Sequence, residues 1–212
     1  ETFMETTFRE ISQWAGILGS LFYHDPASEK GATALRFVSG QEAAQAWPFG
    51  QPEAQTCLET MAKAAEDDGL HEIHLEYNRL FIGPSKLPAP AWGSVYLDPE
   101  NVIFGIETLE LREWMRASGV NMTLAEKEPE DQFGLMLMMA AFCTVSDNCS
   151  EAAVRKLLEH HLLPWAYRFL DQFEEGAGTG SFYASLAQLT RITLLDWQQR
   201  FELYPDKRKL FR

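Results

Sequence analysis

Tyr77-Asn-Arg-Leu80-Phe81-Ile-Gly83-Pro84, continued by Ser85-Lys-Leu-Pro88-Ala-Pro90-Ala91-Trp92-Gly93-Ser94-Val95-Tyr96-Leu97-Asp98, is the stretch whose reading decides the fold. It opens as the end of a helix carrying the apolar pair Leu80 and Phe81. Gly83 and Pro84 stop that helix, because glycine tolerates the left-handed terminal conformation and proline cannot continue the hydrogen-bond ladder. Pro84, Pro88 and Pro90 then stiffen a segment with almost no charge, in which Trp92 and Tyr96 stand. A long apolar loop of this kind inside a compact domain is usually functional. It has no catalytic kit and reads as a surface that holds a peptide. Val95–Leu97 and Val102–Phe104 are too short to build a sheet, so both are expected as extended loop.

Outward from that stretch the chain is helical. Phe8, Ile11, Ala15, Leu18 and Phe22 recur at three- and four-residue steps, with Thr6 or Thr7 placed to cap the helix. Gly16 and Gly19 within it point to a close neighbour. Asp67-Asp68-Gly69 breaks a second helical run before His71. Ser150 and Thr179 or Ser181 are expected to cap later helices, and Gly176–Gly180 to form a link. Phe133–Val145, with Met136, Met138 and Met139, is apolar almost all round and so belongs in the centre of a bundle. Pro129 sits where a first helical turn favours it, with Glu128, Glu130 and Asp131 beside it. The expected architecture is all-α. An N-terminal helical half, residues 1–119, carries the proline-rich loop; a hinge spans 120–128, and a C-terminal helical half spans 129–212. Tyr204–Arg212 reads as an extended basic tail.

Composition narrows the function. With 31 Asp and Glu against 18 Lys and Arg, the net charge is −13. Affinity for nucleic acid comes from basic side chains that release phosphate counterions, so nucleic acid is not an expected partner. Cys57, Cys143 and Cys149 form no CxxC pair, which fits a reducing cytoplasm. No signal-like segment opens the chain, and no apolar run is long enough to span a bilayer. His71 and His74 are three apart, not at the spacing of a zinc-binding helix, and His160-His161 point in different directions, so no metal is expected. There is no Walker loop and no Gly-x-Ser-x-Gly elbow. No catalytic residue and no cofactor are expected. Three carboxylates at Glu128, Glu130 and Asp131 exceed what capping a helix requires and suit arginine side chains, which pair well with carboxylates.

Several motifs together carry a family resemblance: Tyr77-x-x-Leu80-Phe81-x-Gly83-Pro84, Trp92-Gly93-Ser94-Val95, Glu128-Pro129-Glu130-Asp131, and His161-Leu-Leu-Pro164-Trp165. Thr108–Met115, Arg168–Asp171 and Leu210–Arg212 add to it. The chain, from about Phe8 to its end, resembles the TorD/DmsD family of redox-enzyme maturation (Tat proofreading) chaperones, and within it the DmsD branch. The resemblance implies an all-helical cytoplasmic chaperone without enzymatic turnover. Such a protein binds the twin-arginine signal peptide of a molybdoenzyme precursor, holds it during cofactor insertion, and releases it to the Tat translocase. The DmsD branch serves the catalytic subunit of dimethyl sulfoxide reductase.

By position the resemblance puts signal-peptide binding on Tyr77, Leu80, Phe81, Trp92, Gly105 and Asp131. Gln132 replaces the family's histidine and keeps a hydrogen-bonding amide, while Ser85 replaces an aromatic residue and Ala91 a proline. These departures leave the client reductase open. On this reading Leu80, Phe81 and Trp92 offer apolar surface, and Asp131 with Glu128 meets the arginines at an exposed site. The alternatives are a helical nucleotide-binding enzyme hydrolysing GTP, or a general acidic adaptor for another reductase subunit.

Overall fold

The computed structural model describes residues 8–124 and 128–212. The fold is all-α. In chain order the helices are α1 (Ser12–Tyr23), α2 (Glu29–Ser39), α3 (Gln41–Ala46), α4 (Glu53–Tyr77), α5 (Gly93–Leu97), α6 (Ile106–Ala117), α7 (Phe133–Cys143), α8 (Glu151–Lys156), α9 (Leu163–Ala177) and α10 (Phe182–Arg200). Wide π-helical turns, Asn78–Ile82 and Leu157–Leu162, extend α4 and join α8 to α9. Among the described residues the β-pairing is a single antiparallel bridge, Trp92 to Gln132.

The helices sort into two compact units. Among the described residues, one comprises those up to Tyr23, those within Ala91–Ala166 and Leu203–Arg212; the other comprises His24–Pro90 and Tyr167–Glu202. The units interleave along the chain, so they do not coincide with the expected division into 1–119, 120–128 and 129–212. Residues 125–127 of the expected hinge, and the capping candidates Thr6 and Thr7, lie outside the described residues.

In the first unit α1 and α7 run backbone against backbone. A Cβ on Gly19 would stand 2.7 Å from the Gly134 carbonyl oxygen, and one on Gly134 would stand 2.6 Å from that of Gly19. The expected close neighbour therefore belongs to Gly19, whereas Gly16 has ordinary room beside Ala141. Phe22 meets Phe133 edge-on at 4.8 Å, and Gln132 ties the two helices at their ends. Met136 and Met139 are buried, as an all-apolar helix requires.

In the second unit α4 breaks at Gly69, whose φ of 76° is left-handed, where the Asp67-Asp68-Gly69 signal placed it. The α10 helix supplies partners for the segment before α4. Thr193 accepts the Trp47 indole N–H at 3.0 Å, Asp196 accepts the Gly50 amide at 2.6 Å, and Trp197 packs edge-on against Phe49. Ser181 caps α10, its Oγ accepting the Ala184 amide at 3.1 Å. Ser181→Ala is expected to cost about 1 kcal/mol, the usual worth of such a cap. A denaturant midpoint unchanged by it would remove the cap from the account.

Three local expectations are corrected. Val95–Leu97 is not extended but lies in α5, because contacts from residue 131 organise the amides at its start. The turn Pro129–Asp131 precedes α7 instead of forming its first turn, and Gln132 is the cap. Gly176 also lies within α9, so the link between α9 and α10 is shorter than read.

Candidate functional site

The predicted residues divide between the units. Tyr77, Leu80 and Phe81 belong to the second; Trp92, Gly105, Glu128, Asp131 and Gln132 belong to the first.

Leu80 and Phe81 are not the apolar surface expected of them. Both are buried, as is Tyr77. Phe81 contacts Tyr77, Phe173 and Tyr183 at ring-centroid distances of 5.1, 5.2 and 5.9 Å. The wide turn Asn78–Ile82 rotates these rings inward and leaves Ile82 outside. Arg79 at the same turn pairs with Glu76 and donates to the Gly176 carbonyl.

In the first unit the segment Ala91–Ser94 is sewn to residues 131–133. The Phe133 amide donates to the Ala91 carbonyl at 2.8 Å and the Gly93 amide to the Asp131 carbonyl at 3.0 Å. The Ser94 amide donates to Asp131 Oδ2 at 2.7 Å. Asp131 thus bonds an amide in the first turn of α5. Its side chain is 0% exposed, and Oδ1 finds no hydrogen-bond partner among the described residues. The exposed arginine contact expected of Asp131 is therefore corrected: the carboxyl is a buried fastener of the Trp92-Gly93-Ser94 loop. Burial pushes its pKa up, and the Ser94 amide is the strongest opposing influence.

The other two acids of the cluster are also engaged. Glu128 Oε1 accepts the Trp92 indole N–H at 3.0 Å. Its pKa is raised, first by burial and then by the charge of Asp131, with the indole bond acting against the rise. Glu130 pairs with Arg112 at 2.7 Å, and the Arg112 guanidinium lies 5.7 Å from the Phe104 ring centre. Gln132, expected to offer an amide to a peptide, is buried with its amide spent internally. It donates to the Phe22 carbonyl at 2.8 Å and accepts the Leu135 amide at 3.0 Å.

Gly105 is the residue that caps the start of α6, and a Cβ there would collide with the carboxyl of Asp98. Around it lies what the sequence reading missed. Val102, Ile103, Phe104, Ile106 and Leu109 are between 43% and 66% exposed, an apolar run on the loop and first turn beside Gly105. The signal was present as three consecutive apolar residues in a stretch too short for a strand. Phe104 has a φ of 60°, unusual for a non-glycine residue and frequent where a site constrains the backbone. Contacts connect this run through Arg112 to Glu130, and the turn that holds Glu130 also carries Glu128 with Trp92. Trp92 is partly exposed. Acidic and apolar groups thus share one unit.

Comparison with known proteins gives the family of the chain. The sequence pattern of the nitrate reductase delta subunit family matches residues 50–171. The Tat proofreading chaperone DmsD of Salmonella typhimurium is 40% identical over 210 residues, covering 98% of this chain and all of that protein. The chain belongs to the TorD/DmsD chaperone family. The probable Tat proofreading chaperone DmsD of Haemophilus influenzae is 39% identical over 198 residues, covering 92% of this chain and 93% of that one. A TorD chaperone of Shewanella pealeana is 28% identical over 188 residues and 82% of this chain. The family's match thus reaches from just before α4 through the Trp92 loop and the acidic turn into α9. Among the described residues no helix is long and apolar enough to cross a membrane.

Proposed function

We propose that this chain is a cytoplasmic, non-enzymatic chaperone that binds the twin-arginine signal peptide of a molybdoenzyme catalytic subunit. It holds the precursor while the cofactor is inserted and gives it up to the Tat translocase. Dimethyl sulfoxide reductase is the first client to test, since relatives 39–40% identical bear the DmsD name. The observation that carries the reading is the pairing, within one unit, of Glu128 and Glu130 with the exposed side chains of Val102, Ile103, Phe104, Ile106 and Leu109. A twin-arginine peptide has matching parts, a guanidinium pair followed by an apolar segment.

On this reading one arginine meets the acidic turn at Glu128 or Glu130, exchanging for the Trp92 indole or Arg112, and the other is free to reach a second carboxylate of the same unit. The apolar segment lies on Trp92 and residues 102–109. Tyr77, Leu80, Phe81, Asp131, Gln132 and Gly105 act from beneath, by holding the backbone that presents these groups.

Partly exposed carboxylate–guanidinium contacts are screened by salt. Raising the salt from 50 to 500 mM is expected to weaken peptide binding roughly three- to tenfold. An affinity that does not change over that range would take the carboxylates out of the site. The function itself is tested by co-purification with a carrier protein fused to the dimethyl sulfoxide reductase signal peptide. Retention is expected for the native signal and loss when both arginines are alanine. Failure to retain the native fusion would contradict the assignment to that client.

A further inference from the structure

The segment Pro205-Asp-Lys-Arg-Lys-Leu-Phe-Arg212 lies in the first unit as an extended strap without regular secondary structure. Arg208 Nη1 donates to Glu107 Oε2 at 2.7 Å and to the His160 carbonyl at 3.2 Å. Glu107 is 1% exposed, and its other oxygen meets His161 Nδ1 at 2.9 Å. Three residues on, the backbone takes over. The Phe211 amide donates to the Tyr96 carbonyl at 2.8 Å, and the Phe211 carbonyl accepts from Asn101 Nδ2 at 3.0 Å. Upstream, the Asp206 amide donates to the Glu159 carbonyl and the Tyr204 amide to the Glu159 carboxylate.

These contacts describe a receptor. A carboxylate withdrawn from water requires a cationic, hydrogen-bonding partner, and the planar guanidinium suits it best. The pair of backbone bonds at position 211 then holds any extended residue three places after the arginine. Lys207 and Lys209, on either side of Arg208, are exposed, and Lys209 Nζ lies 5.1 Å from the centre of the Phe211 ring. The strap reads Lys-Arg-Lys followed by Leu-Phe: a basic group, then apolar residues. It offers the chemistry ascribed above to the client peptide, and it occupies the helix turn that also carries the exposed Ile106 and Leu109.

We propose that the Glu107 pocket is an arginine-binding site, filled in the free protein by Arg208 of the chain's own strap and vacated when a twin-arginine segment takes that place. The exchange rests on the signal-peptide reading; the pocket itself does not. A tethered segment acts at an effective concentration of roughly millimolar order, so it fills a weak site when no client is present and yields to one that binds additional surface. The strap then acts as a competitor that sets the threshold for client binding.

The test uses the full chain and two labelled probes, followed by fluorescence polarisation. The first is the octapeptide Pro-Asp-Lys-Arg-Lys-Leu-Phe-Arg; the second is a twin-arginine signal peptide. Arg208→Ala removes the competing guanidinium and is expected to bind the octapeptide about tenfold more tightly than wild type does. The double variant Glu107→Gln/Arg208→Ala is expected to lose that gain. Should Arg208→Ala not fold, Arg208→Lys keeps a cation beside Glu107 without the guanidinium fork and is expected to give the same ordering, with a smaller gain. Equal octapeptide binding to wild type and variant, or a gain that survives Glu107→Gln, overturns the pocket. If the octapeptide behaves as stated and the twin-arginine peptide gains equally from Arg208→Ala, the exchange is supported. If that peptide binds none of the proteins, the pocket stands and the signal-peptide reading, with the exchange, is overturned.

Discussion

Trp165→Ala is expected to lower stability by about 3–5 kcal/mol, the range for removing a fully buried large aromatic side chain. Trp165 stands at the start of α9 and is 0% exposed. Its ring stacks on Tyr96 at 5.3 Å with 23° between planes and takes the edge of Phe133 at 5.7 Å. Its indole N–H donates to the His161 carbonyl at 2.8 Å. A Cβ on Gly93 would come within 3.1 Å of the indole nitrogen, so the ring is the floor on which the loop after Trp92 rests. Truncation opens a cavity under α5 and leaves Tyr96 without its stacking partner. Trp165→Phe keeps most of the volume and loses the N–H, so about 1–2 kcal/mol is expected. Denaturant midpoints measure both. A loss below 1 kcal/mol for the alanine variant would show that the loop is not supported from below.

The second large effect concerns Asp131 and depends on which residue replaces it. Asp131→Ala strands the buried Ser94 amide, and about 1–3 kcal/mol of stability is expected to be lost. Asp131→Asn retains an oxygen to accept that amide and removes a charge that burial opposes, so it is expected to fold at least as well as wild type at neutral pH. The pH dependence follows from the raised pKa of Asp131. In the folded chain the carboxyl keeps its proton to a higher pH than in the unfolded chain. Its favourable contribution is therefore complete below the ordinary carboxylate value and is lost as pH rises through the folded value. Glu128 and Asp98 shift in the same direction, in both cases chiefly through burial, so the slope is shared. The melting temperature of Asp131→Asn relative to wild type is expected to rise from pH 4 to pH 7. A difference that stays flat or falls over that range would mean the aspartate is not held against its ionised form. Peptide affinity distinguishes roles: a fastener tolerates asparagine, whereas a direct arginine partner does not.

Much of the fold was legible because its signals are local. The step of apolar residues through Phe22, the Gly69 break and the helix caps each depend on a few neighbouring residues; the structure places the Gly69 break and the Ser150 cap as read, selects Ser181 over Thr179, and begins α1 at Ser12, after Phe8 and Ile11. The site was less legible because burial is a tertiary property. Nothing in Glu128-Pro-Glu-Asp131 says which acid turns inward; that is decided by the Ser94 amide, 37 positions away in sequence. The helix Gly93–Leu97 opens on a glycine and is too short to announce itself, and its start is organised by the same aspartate. Leu80 and Phe81 looked like a surface because apolar residues before a proline-rich loop do not reveal which way a widened turn will rotate them. The exposed run Val102–Leu109 was visible as apolar sequence, but only the fold shows that it is left uncovered.

The most direct test of the account is a calorimetric titration of the full chain with the dimethyl sulfoxide reductase signal peptide, beside a control peptide in which both arginines are alanine. The account predicts saturable binding of the native peptide and at least a tenfold loss for the control, about 1.4 kcal/mol or more. Equal binding of the two would contradict it, because the carboxylates of the acidic turn would then have no part in recognition.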